Sequence, residues 1–511
     1  MSVLHLPNRV RTLAVERASD PAITSGDTTL TYKDLDIRTN RVASALGAMT
    51  EPQSRVGALL RMGLPGAELF IGCAKAGVVF TPINWRLTPN EIAAIAVDAQ
   101  LTVLVVDPDF SEAAGAVAAA LPGVRVITVG GTWEGFVESG TDVDPGFGDD
   151  PESVLLQLYT SGTTGRPKGV LARHRNLYNE PTNFGIYEFA EDSVSLDALP
   201  LFHIAGAGWM STCLSAGVHL VLLGEMNPRL VAAAITEHRV THAFLVPAAV
   251  QMLLDLPTLA EHDLSSLQLI AYGASPITPA LLIRGMATLK CKFVQRYGMT
   301  ETMGSVTALR AQDHDPNGPR AYLLRSAGTP LPGVEVQIRD IATGEPTPAG
   351  QVGEIVARSR NNTSGYWHRD SENADLFTAD GFLRTGDAGY LDEQGYLFVT
   401  DRVKDMIITG GENVYPVEVE SVLAEHPAVA EVAVFGLPDD RWGEAVTAAV
   451  RVVDGAETPT ETELVDFLAG RIASYKKPQH IHFVPALPRN ASGKILKRSL
   501  RQALGGDEVI A

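Results

Sequence analysis

The sequence predicts a layered α/β protein whose strands are mostly parallel, followed by a β-rich segment and then a small α+β domain. Three observations carry this. From about residue 30 to 150, helical patterns alternate with short apolar runs: "RVGALL" (55–60), "GVVFTPI" (77–83) and "LTVLVVD" (101–107). Such runs are too short for helices, and their alternation with helices indicates βαβ units and parallel pairing. Around 326–400 turns become dense and strands short, and from about 404 to 511 the order is helix, strand, strand, helix, strand.

Taken in order, the Ala-rich pieces between the first strands fit helices. "SVLLQLY" (153–159) reads as a buried strand, and "HLVLL" (219–223), "THAFLVP" (241–247) and "LQLIAYG" (267–273) repeat the style with helices between them. "GVEVQIRD", "GEIVARS" and "GYLFVT" are the strands expected of the β-rich subdomain at about 326–400. In the last segment "YPVEVESVLAEHP" (415–427) is an amphipathic helix, "VAEVAVFGLP" (429–438) and "AVTAAVRVV" (445–453) are strands, and "ETELVDFLAGRIA" (461–473) is a second helix. The expected boundary lies near 401–405, separating residues 1–403 from 404–511.

A chain of 511 residues has room for several domains, and 45% apolar with 20% charged residues is the composition of a globular enzyme. A formal net charge of −19 argues against a nucleic-acid partner, so an anionic ligand must be met by local cations. The three cysteines, Cys73, Cys213 and Cys291, are far apart and lack metal-type spacing. That favours a reducing, cytoplasmic setting without disulfides or zinc. The first residues lack an apolar signal-like region and no apolar run of spanning length follows, so no integral membrane segment is expected.

The stretch most in need of explanation is "YTSGTTGRPKGV" (159–170), which follows the strand at 153–159. Gly162 and Gly165 bracket Thr163 and Thr164 in a turn where positive φ and close backbone approach are easy. Backbone N–H groups in such a turn converge on one point, forming an anion cradle. Ser161, Thr163 and Thr164 add hydroxyl donors, and Lys168 adds a point charge. The spacing is not that of a Walker A loop. The ordinary alternative is a polar surface loop; a polyphosphate is the better fit.

Further patches add to this. Glu301 in "RYGMTET" (296–302) follows a glycine-containing turn and suits Mg²⁺, which on a nucleotide takes one or two carboxylates. Asp387 ends "RTGD" and reads equally as an acceptor for a ribose diol or as a turn aspartate. "DRVKDMIITGGENVYP" (401–416) joins charges, paired glycines and an apolar run at the inferred junction, and "PRNASGKILKR" (488–498) sets Lys494 on a glycine-bearing turn.

With "PLFHIAG" (200–206) and "YGASP" (272–276), these motifs stand in one order along nearly the whole chain. In that order they resemble the adenylate-forming superfamily, in its branch of AMP-forming acyl-CoA synthetases. The resemblance implies a large N-terminal domain, a small mobile C-terminal domain, and two half-reactions. A carboxylic acid attacks the α-phosphate of ATP to give acyl-AMP and pyrophosphate; coenzyme A then takes the acyl group and releases AMP. It also implies roles. Lys168 with Thr160, Ser161, Thr163 and Thr164 holds the β- and γ-phosphates, Glu301 holds Mg²⁺, and Thr300 contacts the α-phosphate. Gly273, Ala274 and Ser275, with Tyr297 and Gly298, bracket adenine, while Asp387 and Arg402 bind the ribose. Lys494 bridges acid and α-phosphate, and the small domain swings about Lys404 to present Gly410 and Gly411 to the pantetheine. His203 resembles the family's aromatic gate at the acyl pocket; outside the motif it would read as a half-buried histidine. Trp442 and the pair Lys476–Lys477 fit either the CoA nucleotide or packing and solvated surface.

The family's acyl pocket maps here onto Gly206, Ala207, Gly208, Trp209, Gly273, Ala274, Gly298, Met299 and Met303. Small apolar walls suit a hydrophobic acid. A medium- or long-chain fatty acid leads, with an aromatic acid next. Arg296 disturbs this: it faces solvent or the nucleotide, or it meets a second carboxylate as in malonate-type ligases of the family. The rival classes are an acyl-AMP enzyme that loads a carrier protein or an amine, and a nucleotide-binding protein without catalysis. A homodimer is compatible with everything above.

Overall fold

The computed structural model describes residues 5–146, 150–160, 167–177, 184–409, 412–439, 441–489 and 495–505. Its contacts divide the chain into two units. The first is Met1–Val336 with Val356–Arg384 and Gln394–Leu397; the second is Gln337–Ile355 with Thr385–Glu393 and Phe398–Ala511.

Two sheets dominate the first unit. One has six strands in the order Arg125–Thr128, Leu101–Val106, Arg55–Leu59, Val79–Pro82, Val154–Thr160, Lys168–Arg173. Neighbours are parallel except for the last pair, which is antiparallel. The other has nine strands, with a parallel centre running Lys292–Met299, Leu269–Gly273, His242–Leu245, Val194–Asp197, His219–Leu222, Pro21–Ser25. Antiparallel strands flank that centre on both sides.

Strand Leu101–Val106 shows why these runs are apolar throughout. Val103 and Val105 join the core between the sheets, whereas Leu104 and Val106 join a second core under helices Pro89–Ala99 and Ser111–Ala120. A parallel strand covered on both faces has no polar side. In the nine-stranded sheet Leu269 and Ala271 face the shared core, and Ile270 and Tyr272 face a third core. Helices Pro228–His238, Pro247–Leu254 and Pro279–Leu289 cover that third core. The shared core also takes helices Tyr32–Gly47, Leu64–Ala76 and Ile204–Ala216. The layers therefore alternate helix, sheet, helix, sheet, helix, an order that fits the layered α/β class expected from the sequence. Local signals set the helix ends: Thr31 with Asp34 and Thr88 with Glu91 form capping boxes, and Gly77 at φ +69° closes Leu64–Ala76.

The second unit holds most of a four-stranded sheet, in the order Glu335–Arg339, Gly353–Arg358, Leu383–Leu391, Leu397–Arg402. It also holds a five-stranded sheet in which Val429–Asp439 and Gly443–Val452 form a long antiparallel pair and His480–Phe483 adds parallel to the latter. Helices Pro416–Leu423 and Glu461–Phe467 pack Val419, Leu423 and Leu464 on one face, and helix Lys497–Leu504 packs Leu500 on the other. The helix expected over 461–473 is shorter. It ends at Phe467, and the chain turns at Gly470, whose φ of +75° suits glycine. No described helix is long and apolar enough to cross a membrane.

Candidate active site

The loop of interest joins antiparallel strands, since Thr160 pairs with Lys168 and Tyr159 with Gly169. Ser161, Gly162, Thr163, Thr164 and Gly165 lie outside the described residues, as do Gly410, Gly411 and Lys494. The Lys168 ammonium stands 3.6 Å from Glu372 Oε1 and 5.1 Å over the ring of Tyr366.

Tyr366 connects this lysine to the second motif. Its hydroxyl donates to Glu301 Oε1 at 2.9 Å, and the Glu301 carbonyl accepts from Thr363 N–H at 2.7 Å. Burial, and then the Glu301 charge, hold the Tyr366 hydroxyl well above the usual phenol range, so it stays a donor at neutral pH. Glu301 is only 7% exposed. Thr300 and Glu301 sit in the bend between strands Lys292–Met299 and Gly304–Leu309. Thr302 pins that bend by donating to the carbonyls of Met299 and Gly304 and accepting from Met299 N–H. Gly298 is obligatory, because a Cβ there would lie 1.9 Å from the Gly304 carbonyl oxygen. Gly273 is equally constrained, its Cβ position falling 2.3 Å from the Arg296 carbonyl. Ala274 and Ser275 are exposed at the end of the neighbouring strand, and Ala274 holds a left-handed φ of +66°. Backbone strain of this kind gathers at functional sites. Tyr297 and Gly298 lie one strand away, half-buried.

The residues read as the acyl pocket lie on and around helix Ile204–Ala216 and strand Lys292–Met299. His203 is the residue before that helix and packs against Phe202, ring to ring at 4.6 Å. Burial, then the nearby Arg86 charge, lower it to about 4, so it is neutral at physiological pH. Gly206 lets the helix start close, since a Cβ would meet the Pro200 carbonyl at 2.4 Å; Gly208 meets no such limit. Trp209 is 3% exposed and donates to Ser195 Oγ at 3.1 Å. With Tyr187, Phe189 and Phe244 it forms an aromatic wall. Met303 is buried in the shared core and Met299 is half-buried.

Arg296 is half-buried on strand Lys292–Met299. Its guanidinium stands 5.2 Å over the Tyr187 ring, and its Nε and Nη1 are buried with no hydrogen-bond partner among the described residues. The reason is strand alternation: Val294, two residues earlier, points into the core between the sheets, and Arg296 shares its face.

In the second unit Asp387 and Arg402 come together, Nε to Oδ1 at 2.7 Å, with Asp387 largely buried. Gly386 takes a φ of +68° inside strand Leu383–Leu391, and the Asp387 N–H donates to Thr385 Oγ1 at 3.1 Å. Lys404 falls in the turn Val403–Asp405. Trp442 is 40% exposed beside Arg441 at the tip of the long hairpin, while Lys476 is engaged by both carboxylate oxygens of Glu418 at 2.7 Å.

Tyr366, Glu372 and Asp98 are absent from the motif reading. The only sequence cue to Tyr366 is an aromatic pair, Tyr366–Trp367, next to a glycine. Their relevance comes from partners 61 to 271 residues away.

The comparisons with known proteins agree with this geometry. Residues 10–367 match the model of the AMP-binding enzyme family, and residues 418–494 match the model of the AMP-binding enzyme C-terminal domain. The chain is 38% identical to the fatty acid–[acyl-carrier-protein] ligase ScoC of Streptomyces coeruleorubidus, covering 97% of this chain and 95% of that one. It is also 38% identical to a feruloyl-CoA synthase of an Amycolatopsis species, over 95% and 96%. The crystal structure of ATP-bound MatB from Rhodopseudomonas palustris superimposes with a TM-score of 0.87 at 31% identity, covering 98% of this chain and 99% of that one. The chain therefore belongs to the adenylate-forming superfamily, in its branch of AMP-forming acyl-CoA ligases.

Proposed function

We propose that the protein joins a carboxylic acid to coenzyme A through an acyl-adenylate, with residues 1–403 building the adenylation site and 404–511 acting as a lid hinged at Lys404. The observation that carries this is the set Lys168, Tyr366 and Glu301: an ammonium and a buried carboxylate, both held by one tyrosine, at the root of a serine- and threonine-rich turn. In the first step an acid oxygen bonds to the α-phosphorus of ATP and the α–β anhydride bond breaks, releasing pyrophosphate. Both reactants are anions, so the step needs charge neutralisation more than acid–base chemistry. Lys168 and the hydroxyls of Thr160, Ser161, Thr163 and Thr164 receive the phosphates, with Thr300 at the α-phosphate. Gly273, Ala274, Ser275, Tyr297 and Gly298 seat the adenine. Asp387 and Arg402 orient the ribose, and Lys494 neutralises the joining oxygens. In the second step the CoA sulfur, losing its proton, bonds to the acyl carbon and AMP leaves. Gly410, Gly411 and Trp442 attend that thiol and its nucleotide.

Glu301 also fits Mg²⁺. One buried carboxylate beside a phosphate site suits an ion that arrives on the nucleotide, and no group of three His, Cys, Asp or Glu among the described residues could cage a metal by itself. When bound, the ion supplies charge neutralisation at the phosphates.

For the acid, the aromatic wall of Tyr187, Phe189, Trp209 and Phe244 supports an apolar body, and a medium- or long-chain fatty acid leads. Arg296 supports a second reading, an acid bearing another carboxylate or polar group. Its two buried N–H groups without an acceptor among the described residues are costly, and such a substrate would supply one. Pyrophosphate release with ATP and Mg²⁺, screened over fatty, aromatic and dicarboxylic acids with and without CoA, tests all of this. Turnover that ignores CoA would favour transfer to a carrier protein or amine. Activity confined to dicarboxylates, and abolished in Arg296→Ala, would replace the fatty-acid reading.

A further inference from the structure

Three groups on Asp98, at the end of helix Pro89–Ala99, accept hydrogen bonds from Tyr159 and from the segment 367–369. Its Oδ2 accepts from the Tyr159 hydroxyl at 2.7 Å, and its Oδ1 accepts from Arg369 Nη2 at 2.6 Å. Its backbone carbonyl accepts from Trp367 Nε1 at 3.1 Å. Tyr159 immediately precedes Thr160. The same Arg369 Nη2 reaches the Pro167 carbonyl at 3.4 Å, and Trp367 N–H donates to the Gly169 carbonyl at 2.8 Å. Both ends of the connection are thus tied to one carboxylate. The remaining partners stiffen the tie: Gln157 Nε2 donates to the Tyr159 hydroxyl at 3.0 Å, and Arg55 lies 3.6 Å over the Trp367 ring.

We infer that Asp98, with Tyr159 and Arg369, is a clamp that fixes the mouth of the phosphate-binding connection so that Thr160 and Lys168 face the nucleotide ready-made. This rests on the adenylation reading above. The physical case is pre-organisation. Fixing a backbone costs conformational entropy, and anchoring both ends of a ligand-binding connection beforehand reduces the part of that cost which falls on binding. Asp98 is a positioning residue: its carboxylate is satisfied by Tyr159 and Arg369, and it works through the backbone at 159 and 167. Its loss should therefore weaken binding of the polyphosphate while leaving the acid's own affinity unchanged. A tie that merely stabilised the fold would not discriminate between the two substrates.

The test uses the full chain. ATP affinity is measured by calorimetric titration, and KM values for ATP and for the acid by pyrophosphate exchange, in wild type, Asp98→Asn, Asp98→Ala, Tyr159→Phe and Arg369→Gln. Asp98→Ala is expected to weaken ATP binding and raise KM for ATP about tenfold, with KM for the acid within twofold. Asp98→Asn, which can still accept from Tyr159, should fall between. Should Asp98→Ala fail to fold, Tyr159→Phe and Arg369→Gln each carry the same expectation at about threefold. ATP affinity unchanged in all folded variants, or KM for ATP and acid rising in parallel, overturns the clamp. Wild-type protein that binds ATP but exchanges pyrophosphate with no acid would instead sink the adenylation reading, and the ATP titrations would still decide the clamp. Wild-type protein that does not bind ATP overturns both.

Discussion

Replacing Arg296 with methionine should make the folded protein more stable. Arg296 is half-buried, and its buried Nε and Nη1 have no acceptor among the described residues. Each unsatisfied buried donor costs about 1–3 kcal/mol. The Tyr187 ring, 5.2 Å away, returns roughly 1–2 kcal/mol through its π face. Exchange for an apolar side chain of similar length should thus stabilise by about 1–3 kcal/mol, in line with other buried charges replaced by hydrophobic groups. The assay is urea denaturation followed by tryptophan fluorescence, which can report the buried Trp209 beside Tyr187. The midpoint should rise with an unchanged slope, or the melting temperature should climb by about 2 °C or slightly more for a unit of this size. Activity should fall for any acid whose second polar group meets the arginine and hold for plain fatty acids. A variant less stable than wild type by 1 kcal/mol or more would refute the reasoning, because it would mean that the free protein already satisfies the guanidinium.

Two further predictions are more local. His203 and His314 are both lowered to about 4 by burial, whereas an unfolded histidine titrates near 6.5. Below pH 6.5 the unfolded chain therefore binds protons that the folded chain refuses, and stability falls as pH drops toward 4, by up to about 3 kcal/mol for each residue, and is flat above 7. His314→Gln should flatten part of that slope in denaturant titrations across pH 7 to 4.5; identical slopes in variant and wild type would contradict the assignment. Glu372 sits 3.6 Å from Lys168 in competition with any phosphate, a partly exposed pairing worth about 0.5–1 kcal/mol, so Glu372→Gln should lower KM for ATP two- to fivefold. A KM that rises would show that Glu372 supports the lysine in the complex.

The fold was legible where periodicity is strong. Strands such as 101–106 and 269–273 are apolar on both faces because two cores clamp them, and such runs announce buried parallel strands without further help. The helix read over 461–473 was too long, because an apolar pattern continues past Phe467 and the turn at Gly470. The site was legible as separate motifs. Glu301 and Lys168 could be singled out by residue type, but not the tyrosine at 366 that engages both, because its role arises only when the segment 360–369 lies along strand Lys168–Arg173. Arg296 was visible but ambiguous: it was read only within the motif 296–302, and its place on strand Lys292–Met299 and the face it takes there depend on neighbouring layers.

The charges proposed for ligand binding share an arrangement that bears on how an acidic chain can hold ATP. Lys168 is paired with Glu372, and Arg402 with Asp387. Each cation thus has an internal carboxylate partner, which keeps it oriented and spares it from being an isolated charge in a partly buried place. Binding at Lys168 becomes an exchange of one anion for another, in which the phosphate gains only the difference between itself and Glu372. That difference favours a polyphosphate carrying several negative charges over a single carboxylate, so the same pairing that mutes a nonspecific anion preserves selectivity for a nucleotide tail. Arg402 works differently, because its partner Asp387 is itself proposed to accept from the ribose diol. There the pair orients two groups toward one sugar, and charge exchange is not needed. Arg296 stands apart from both: among the described residues its Nε and Nη1 have no acceptor to give up, so an acid offering one gains almost the whole interaction.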